Sequence, residues 1–405
     1  MRILYLNPSG KPGGAERALL DLIAALREAR PGWDLHLVAG SEGAFPAAAR
    51  GLGVHTSIVP FPRVVARMGD SGDAAASQWM LRAPKLCAAS IAGAAYAGRL
   101  RSAIREIAPD LVHTNGFKMH MMGAMVRPAG VPLIWHVRDY LSGRPLMARV
   151  MPMMRGRCDA AIANSASVAA DLLAHCPGLA VEAAHDAIDL NEFSPDGPSL
   201  DLDALAGLTA APEGTVRVGL VSTMARWKGQ QVFLEAIASV DSRCPLRGYI
   251  IGGPIYETEG SQFSIEYLRS VARRLGLGDR VGFTGFVEWP SAAIRALDIV
   301  VHASTAPEPF GLAIAEAMAC GKALITSARG GAVELIADGA DSMVFPPGDA
   351  AALAERIERI AADRELRRRL GANARAGAET RFTRERLVAQ VLDVYERVTQ
   401  GAAAA

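Results

Sequence analysis

The chain has 405 residues, half of them apolar and 21% charged, the balance of a folded globular protein rather than of a disordered tail or a disulfide miniprotein. At roughly 150 residues per domain, this length predicts two or three domains with sizeable cores. Forty-three basic and 42 acidic residues leave a formal net charge of +1, which excludes a whole-chain polyanion binder and, with few interleaved aromatics, a nucleic-acid partner.

In chain order, the strand candidates of the first half are RILYLN (2–7), DLHLVAG (34–40), HTSIVPF (55–61), DLVHTN (110–115), PLIWHVRD (132–139) and DAAIANS (159–165). They are near-continuously apolar, as strands covered on both faces are. Helical stretches such as AERALLDLIAALREAR (15–30) lie between them, so the order predicts a parallel, doubly wound sheet. Pro and Gly punctuate Asp189–Gly214, which reads as a linker. A second series follows: VRVGLVST (216–223), RGYIIGG (247–253), RVGFTGF (280–286), DIVVHAS (298–304), ALITSA (323–328) and SMVFPPG (342–348). Three helical patterns close the chain, at 349–362, 364–378 and 383–399. The expected division is residues 1–192, residues 193–380, and a segment 381–405 whose helix is able to pack back on the first domain before a frayed tail. Two such sheets facing each other predict a ligand cleft at the C-terminal ends of their strands. No apolar run reaches the ~18–20 residues of a membrane span, and MRILYLNPSG lacks a signal-peptide h-region. The five cysteines (Cys87, Cys158, Cys176, Cys244, Cys320) are scattered, without metal spacing, and read as reduced thiols of a cytoplasmic protein.

The segment APEPFGLAIAEAMACG (306–321) carries the most chemistry. Its helix, Leu312 to Cys320, is apolar all round except for Glu316, so it should be buried. A buried carboxylate needs partners: either an internal arginine or adjacent hydroxyls such as a ribose diol. The backbone N–H groups of Phe310, Gly311 and Leu312 form a helix N-terminus suited to phosphate or sugar oxygens, and Gly311 lets a ligand approach closely.

PEPFG with Glu308 and Glu316 eight positions apart, followed by ACGKALITSARGGAVELIADG and PPGD, closely resembles the retaining glycosyltransferases of family 4. The resemblance covers nearly the whole chain and is strongest over 216–350. It implies the α/β GT-B fold, two Rossmann-like doubly wound domains facing an interdomain cleft, with a nucleotide sugar as co-substrate (UDP-linked rather than GDP-linked), no separate cofactor and no metal. By the resemblance Glu316 holds the ribose and Glu308 the sugar hydroxyls. Lys228, with Arg226 beside it in STMARWKGQQ (222–231), stabilises the leaving phosphate, and Thr223 stands where the family usually has a basic residue. Gly13 and Gly14 of GGAER face donor phosphate and acceptor, and Phe286 and Val287 of GFTGFV border the nucleobase. His136 lies beside the transferred sugar as a catalytic residue; a structural role for it is the alternative. His113, Asn115, Arg138 and Asp139 are acceptor-side candidates, and HDAID (185–189) departs from the family's usual loop. Asp201-Leu202-Asp203 mimics a metal-binding DxD but lies in the linker and reads as solvated charge.

Residues 61–157 hold fourteen cations and five acids, a net +9, with apolar stretches such as QWMLRAPKLCAASIAGAAYAGRL and PLMARVMPMMRGR. Either this is a surface for anionic lipid, placing the protein peripherally on the cytoplasmic face of a membrane with a lipid-linked or other glycan acceptor, or it is solvated charge over a Met-rich core. The rival functions are a sugar-nucleotide epimerase, a phosphorylase (for which no pyridoxal lysine is identified) and a non-catalytic sugar-nucleotide-binding protein.

Overall fold

The computed structural model describes residues 1–67, 79–254 and 261–404. Asp70 and Asp73 of the basic segment lie outside the described residues, as do the side chains of Arg67, Arg82, Lys85 and Cys87. The chain forms two compact units, Met1–Ala187 with Arg384–Ala405, and Ile188–Thr383. The first crossing falls five residues before the expected boundary at 192.

The first unit is a seven-stranded sheet of β1 (Arg2–Asn7), β2 (Asp34–Ala39), β3 (His55–Ile58), β4 (Leu111–Asn115), β5 (Leu133–Val137), β6 (Ala160–Ala163) and β7 (Val181–Ala183). The order is β3-β2-β1-β4-β5-β6-β7, every pair parallel. The strand direction of winding reverses between β1 and β4, the switch point where doubly wound sheets bind ligands. Apolar strands bury both faces: Leu4, Leu6, Val112 and Trp135 belong to one core, Ile3, Tyr5, Leu111 and Ile134 to the other. β3 stops at Ile58 rather than Phe61, as suits an edge strand with His55 and Ser57 exposed. β7 is three half-buried residues, too short and too polar to register as an apolar run.

The helix Gly14–Ala29 follows β1, and its Leu19, Leu22, Ile23 and Leu26 are buried at helical spacing. The same core takes Leu387, Val388, Val391, Leu392, Val394 and Tyr395 from the closing helix, Arg384–Ala404. That helix is therefore an integral layer of the first unit.

The second unit is a six-stranded parallel sheet of β8 (Val216–Val221), β9 (Leu246–Ile251), β10 (Val281–Gly285), β11 (Ile299–His302), β12 (Ala323–Thr326) and β13 (Met343–Val344). Its order is β10-β9-β8-β11-β12-β13. The expected linker is corrected here: Ile188, Phe193 and Leu202 are buried in this unit's core, and Ile188 N–H bonds Phe382 C=O at 2.9 Å where the chain crosses and recrosses. The reading of Asp201-Leu202-Asp203 as solvated charge holds for Asp201, which is exposed, and is overturned for Asp203. Asp201 caps the helix Leu202–Ala206 through Ala204 N–H. Asp203 is buried, accepting from Arg247 Nη1 (2.5 Å), Tyr249 O–H (2.6 Å), Ala211 N–H (3.0 Å) and Arg217 Nη2 (3.2 Å). Burial alone would raise its pKa, but the Tyr249, backbone and arginine bonds together hold it well below the usual carboxylate range. Pro and Gly marked this stretch as irregular without revealing that it folds against the sheet.

Candidate functional site

In the second unit, two loops at the C-terminal ends of β8 and β11 are stitched together by backbone. Gly229 has φ +77° and lies so close to β11 that a Cβ would sit 1.9 Å from Ala303 C=O, so only glycine fits this approach. Trp227 C=O accepts from Thr305 N–H at 2.8 Å. The Glu308 backbone is pinned to the loop after β12: its N–H bonds Arg329 C=O (3.0 Å) and its C=O takes Gly331 N–H (2.8 Å). This frame brings Lys228 Nζ to 2.6 Å from Glu308 Oε2. The same oxygen accepts from Ser304 O–H at 2.8 Å and faces His302 Nε2 at 3.1 Å. Burial pushes Glu308 up, but the Lys228 ammonium and the His302 contact overcome it and hold the carboxyl well below its ordinary value. His302 and Ser304 were not singled out from sequence. The available signal was a histidine closing the otherwise apolar run DIVVHAS.

The helix Leu312–Ala319 starts at Gly311, φ +104°, a backbone conformation side chains rarely adopt. Glu316 is 6% exposed between wholly buried Ala315 and Ala317, so the buried helix expected from its composition is present. Phe310 is core, edge-on to Phe382 at 5.9 Å, which leaves only its backbone for a ligand. Leu312 is half-buried against the same core. The Arg226 guanidinium lies over the Phe263 ring, 4.9 Å from the centroid. After β10, Phe286 is 68% exposed and Val287 packs on the core.

In the first unit, five neighbouring strands end or are followed by a polar residue, and these link into one row. Gly13 N–H bonds Glu16 Oε2 (3.1 Å) at the start of the first helix, and Glu16 Oε1 accepts from Asn7 (3.1 Å) at the end of β1. Asn7 accepts from Asn115 Nδ2 (2.7 Å) at the end of β4, and Asn115 accepts from Arg138 Nη1 (2.7 Å) just after β5. Arg138 Nε reaches Asp186 at 3.1 Å, and Asn164 Nδ2 the same carboxylate at 3.5 Å. Burial raises Glu16 above the usual carboxylate range. Arg138 Nη2 and Asn164 Oδ1 are buried without a partner among the described residues.

His136 is wholly buried in β5, its Nδ1 3.1 Å from His113 Nε2, and His113 Nδ1 is 2.7 Å from the Tyr395 hydroxyl of the closing helix. Burial, reinforced by Arg138, pushes both imidazoles well below their ordinary pKa. His136 Nε2 is buried without a partner among the described residues, and Arg138 follows at the end of the strand. Asp139 turns aside to Arg144 (2.5 Å). Gly13 is the N-cap of the first helix and Gly14 its first residue. Among the described residues no group of His, Cys, Asp or Glu is arranged to hold a metal ion, and no helix is long and apolar enough to cross a membrane. Cys158, Cys176, Cys244 and Cys320 are free thiols.

Two parallel α/β units, each with polar groups gathered at the C-terminal edge of its sheet, have the two-domain GT-B architecture. Residues 12–192 match the model of Glycosyltransferase Family 4 and residues 209–377 that of Glycosyl transferases group 1. The chain belongs to this glycosyltransferase family. It is 28% identical over 312 residues to the D-inositol 3-phosphate glycosyltransferase of Xylanimonas cellulosilytica, covering 72% of each chain. Anabaena Alr3699/HepE, solved in complex with UDP-glucose, is 26% identical with a TM-score of 0.79 over 98% of this chain and 100% of that one. Sucrose-phosphate synthase from Thermosynechococcus elongatus shares the fold at 21% identity, with a TM-score of 0.77 over 99% of this chain and 100% of that one.

Proposed function

We propose that the protein is a retaining glycosyltransferase that moves a sugar from a nucleoside diphosphate, UDP in preference to GDP, to a hydroxyl of a lipid-linked or cell-envelope glycan. The observation that carries this reading is the Lys228–Glu308 pair beside the glycine-led helix that buries Glu316. Glu316 accepts the ribose hydroxyls and Glu308 the hydroxyls of the sugar. Lys228 and the N–H groups at the start of helix Leu312–Ala319 receive the β-phosphate charge as it develops, so the leaving group needs no metal ion. The acceptor oxygen attacks the anomeric carbon from the face on which the diphosphate departs. The carbon–phosphate-oxygen bond breaks, the acceptor proton passes to the leaving phosphate, and configuration is kept. The kinship with a protein solved with UDP-glucose supports the choice of UDP.

The acceptor is assigned to the first unit, along the row from Asn7 to Arg138. A lipid-linked acceptor is supported by the helix Pro145–Met154, which turns Met147 and Met151 into the core while Leu146, Arg149 and Met153 are exposed at three- and four-residue spacing. Exposed Arg155 and Arg157 follow. Apolar and cationic groups on one face suit peripheral contact with anionic lipid on the cytoplasmic leaflet.

Incubation with a panel of nucleotide sugars and a lipid extract tests the reading. It predicts sugar transfer with the anomeric configuration of the donor retained. Acceptor-free conversion of the donor would indicate an epimerase, and binding without turnover a sensor; either result contradicts the proposal.

A further inference from the structure

We infer that Phe263 is a positioning residue for the donor diphosphate, holding the Arg226 guanidinium in place without neutralising it. The inference rests on the proposed function and deepens it, because it sets Arg226 beside Lys228 as a partner of the phosphates and names what orders it. Arg226 opens the short turn Arg226–Lys228 after β8. The chain just before that turn is paired with residues 261–263, which lead into the helix Ile265–Arg274. Ala225 and Gln262 form an antiparallel bridge, Arg226 N–H donates to Ser261 C=O (3.1 Å), and Phe263 N–H donates to Met224 C=O (2.8 Å). This pairing brings the Phe263 ring to the Arg226 side chain, whose Cζ lies 4.9 Å from the ring centroid. Phe263 is itself fixed. It is buried in the core of the second unit, Tyr267 stacks on it at 5.1 Å with an interplanar angle of 12°, and the Tyr267 hydroxyl accepts from Gln231 Nε2 at 3.0 Å.

An aromatic ring and a carboxylate hold a cation in different ways. The ring attracts the charge through its quadrupole and leaves it uncancelled, whereas a carboxylate cancels it. Lys228 lies 2.6 Å from Glu308, and Arg217 and Arg247 both pair with Asp203. Arg226 has no carboxylate partner among the described residues and rests on Phe263 instead. An exposed arginine ordinarily loses rotamer freedom when it takes hold of a phosphate. Arg226 is exposed, but on the Phe263 ring it has given up that freedom on folding. Its planar fork is then preset to take two phosphate oxygens at once.

A double-mutant cycle read by calorimetric titration tests this, using whichever of UDP, GDP and ADP stabilises the protein most in a thermal-shift panel. Arg226→Met should weaken binding about tenfold and Phe263→Leu about fivefold. Phe263→Tyr, which keeps the ring face, should bind like wild type. In the Arg226→Met background Phe263→Leu should cost nothing further, whereas a residue that only fills the core would cost the same in both backgrounds. If Phe263→Leu lowers the unfolding midpoint by more than about 5 °C, Phe263→Met serves instead, with the same direction expected. With a wild type that binds the nucleotide, full affinity in Arg226→Met or Phe263→Leu, additive losses in the double variant, or a Phe263→Tyr protein as weak as Phe263→Leu each overturns the inference alone. A wild type that binds no nucleoside diphosphate, free or sugar-linked, overturns the proposed function and the inference together.

Discussion

Glu308 and Asp203 are both buried carboxylates paired with cations, yet they sit in different surroundings. Asp203 is enclosed by Arg247, Tyr249 and Arg217 with every bond directed inward. Glu308 faces a partly exposed lysine at the edge of the sheet. Asp203→Ala should therefore destabilise the protein by about 3 kcal/mol in denaturant unfolding, since it strands buried guanidinium charge, and leave ligand affinity unchanged in the folded fraction. Glu308→Ala should do the reverse, lowering turnover by at least about 100-fold while moving the unfolding midpoint little. Equal stability losses in the two variants would contradict this division. From sequence the two residues were legible to different degrees. Glu308 lies in a dense local pattern in which loop, glycine and apolar helix follow each other in sixteen residues. The partners of Asp203 are up to 46 positions away, and no local pattern announces them. His302 and Ser304 escaped notice for the same reason, since their role depends on a loop folding back over β11.

At the scale of elements, the strands were legible because both faces of each sheet are covered and the apolar runs are unbroken. The short edge strand β7 and the trimmed β3 were not, because partial exposure erases that signal. The closing helix shows the limit of periodicity: its apolar stripe predicts burial, but not that Tyr395 reaches His113 under the sheet. Leu387→Ala or Val391→Ala should cost about 2–4 kcal/mol by leaving a cavity in the first unit's core. The buried histidines of β4, of β5 and of the helix Phe117–Val126 set a pH dependence. His120, pushed down to about 3 by burial and Arg138, and the similarly lowered His113 and His136 bind fewer protons folded than unfolded. Their contribution is fully present above the unfolded value near 6.5 and is lost as pH falls below it. Between pH 6.5 and 5 His120 alone should remove about 2 kcal/mol. Chemical unfolding at pH 7.5 and pH 5 checks this, and equal stability at both would contradict the buried, neutral assignment.

For the whole molecule, the chain crosses between units twice, so the second unit is continuous from Ile188 to Thr383 while the first is assembled from both ends. Each core cluster lies within one unit. A fragment of residues 188–383 is thus expected to unfold cooperatively by itself, whereas 1–187 without the closing helix should expose Leu22, Ile23 and Leu37 and aggregate. Two α/β halves were readable from the βα rhythm, but the true crossing was not, because the stretch after it resembles a linker and folds as part of the second unit. The central claim is that this second unit grips a nucleotide sugar through two glutamates on either side of a glycine-led helix start. A crystal structure of the protein soaked with the nucleotide sugar that stabilises it most tests that claim directly. The account predicts ribose hydroxyls on Glu316, sugar hydroxyls on Glu308 and the β-phosphate on Lys228; a donor bound elsewhere, with the Lys228–Glu308 pair intact, would contradict it.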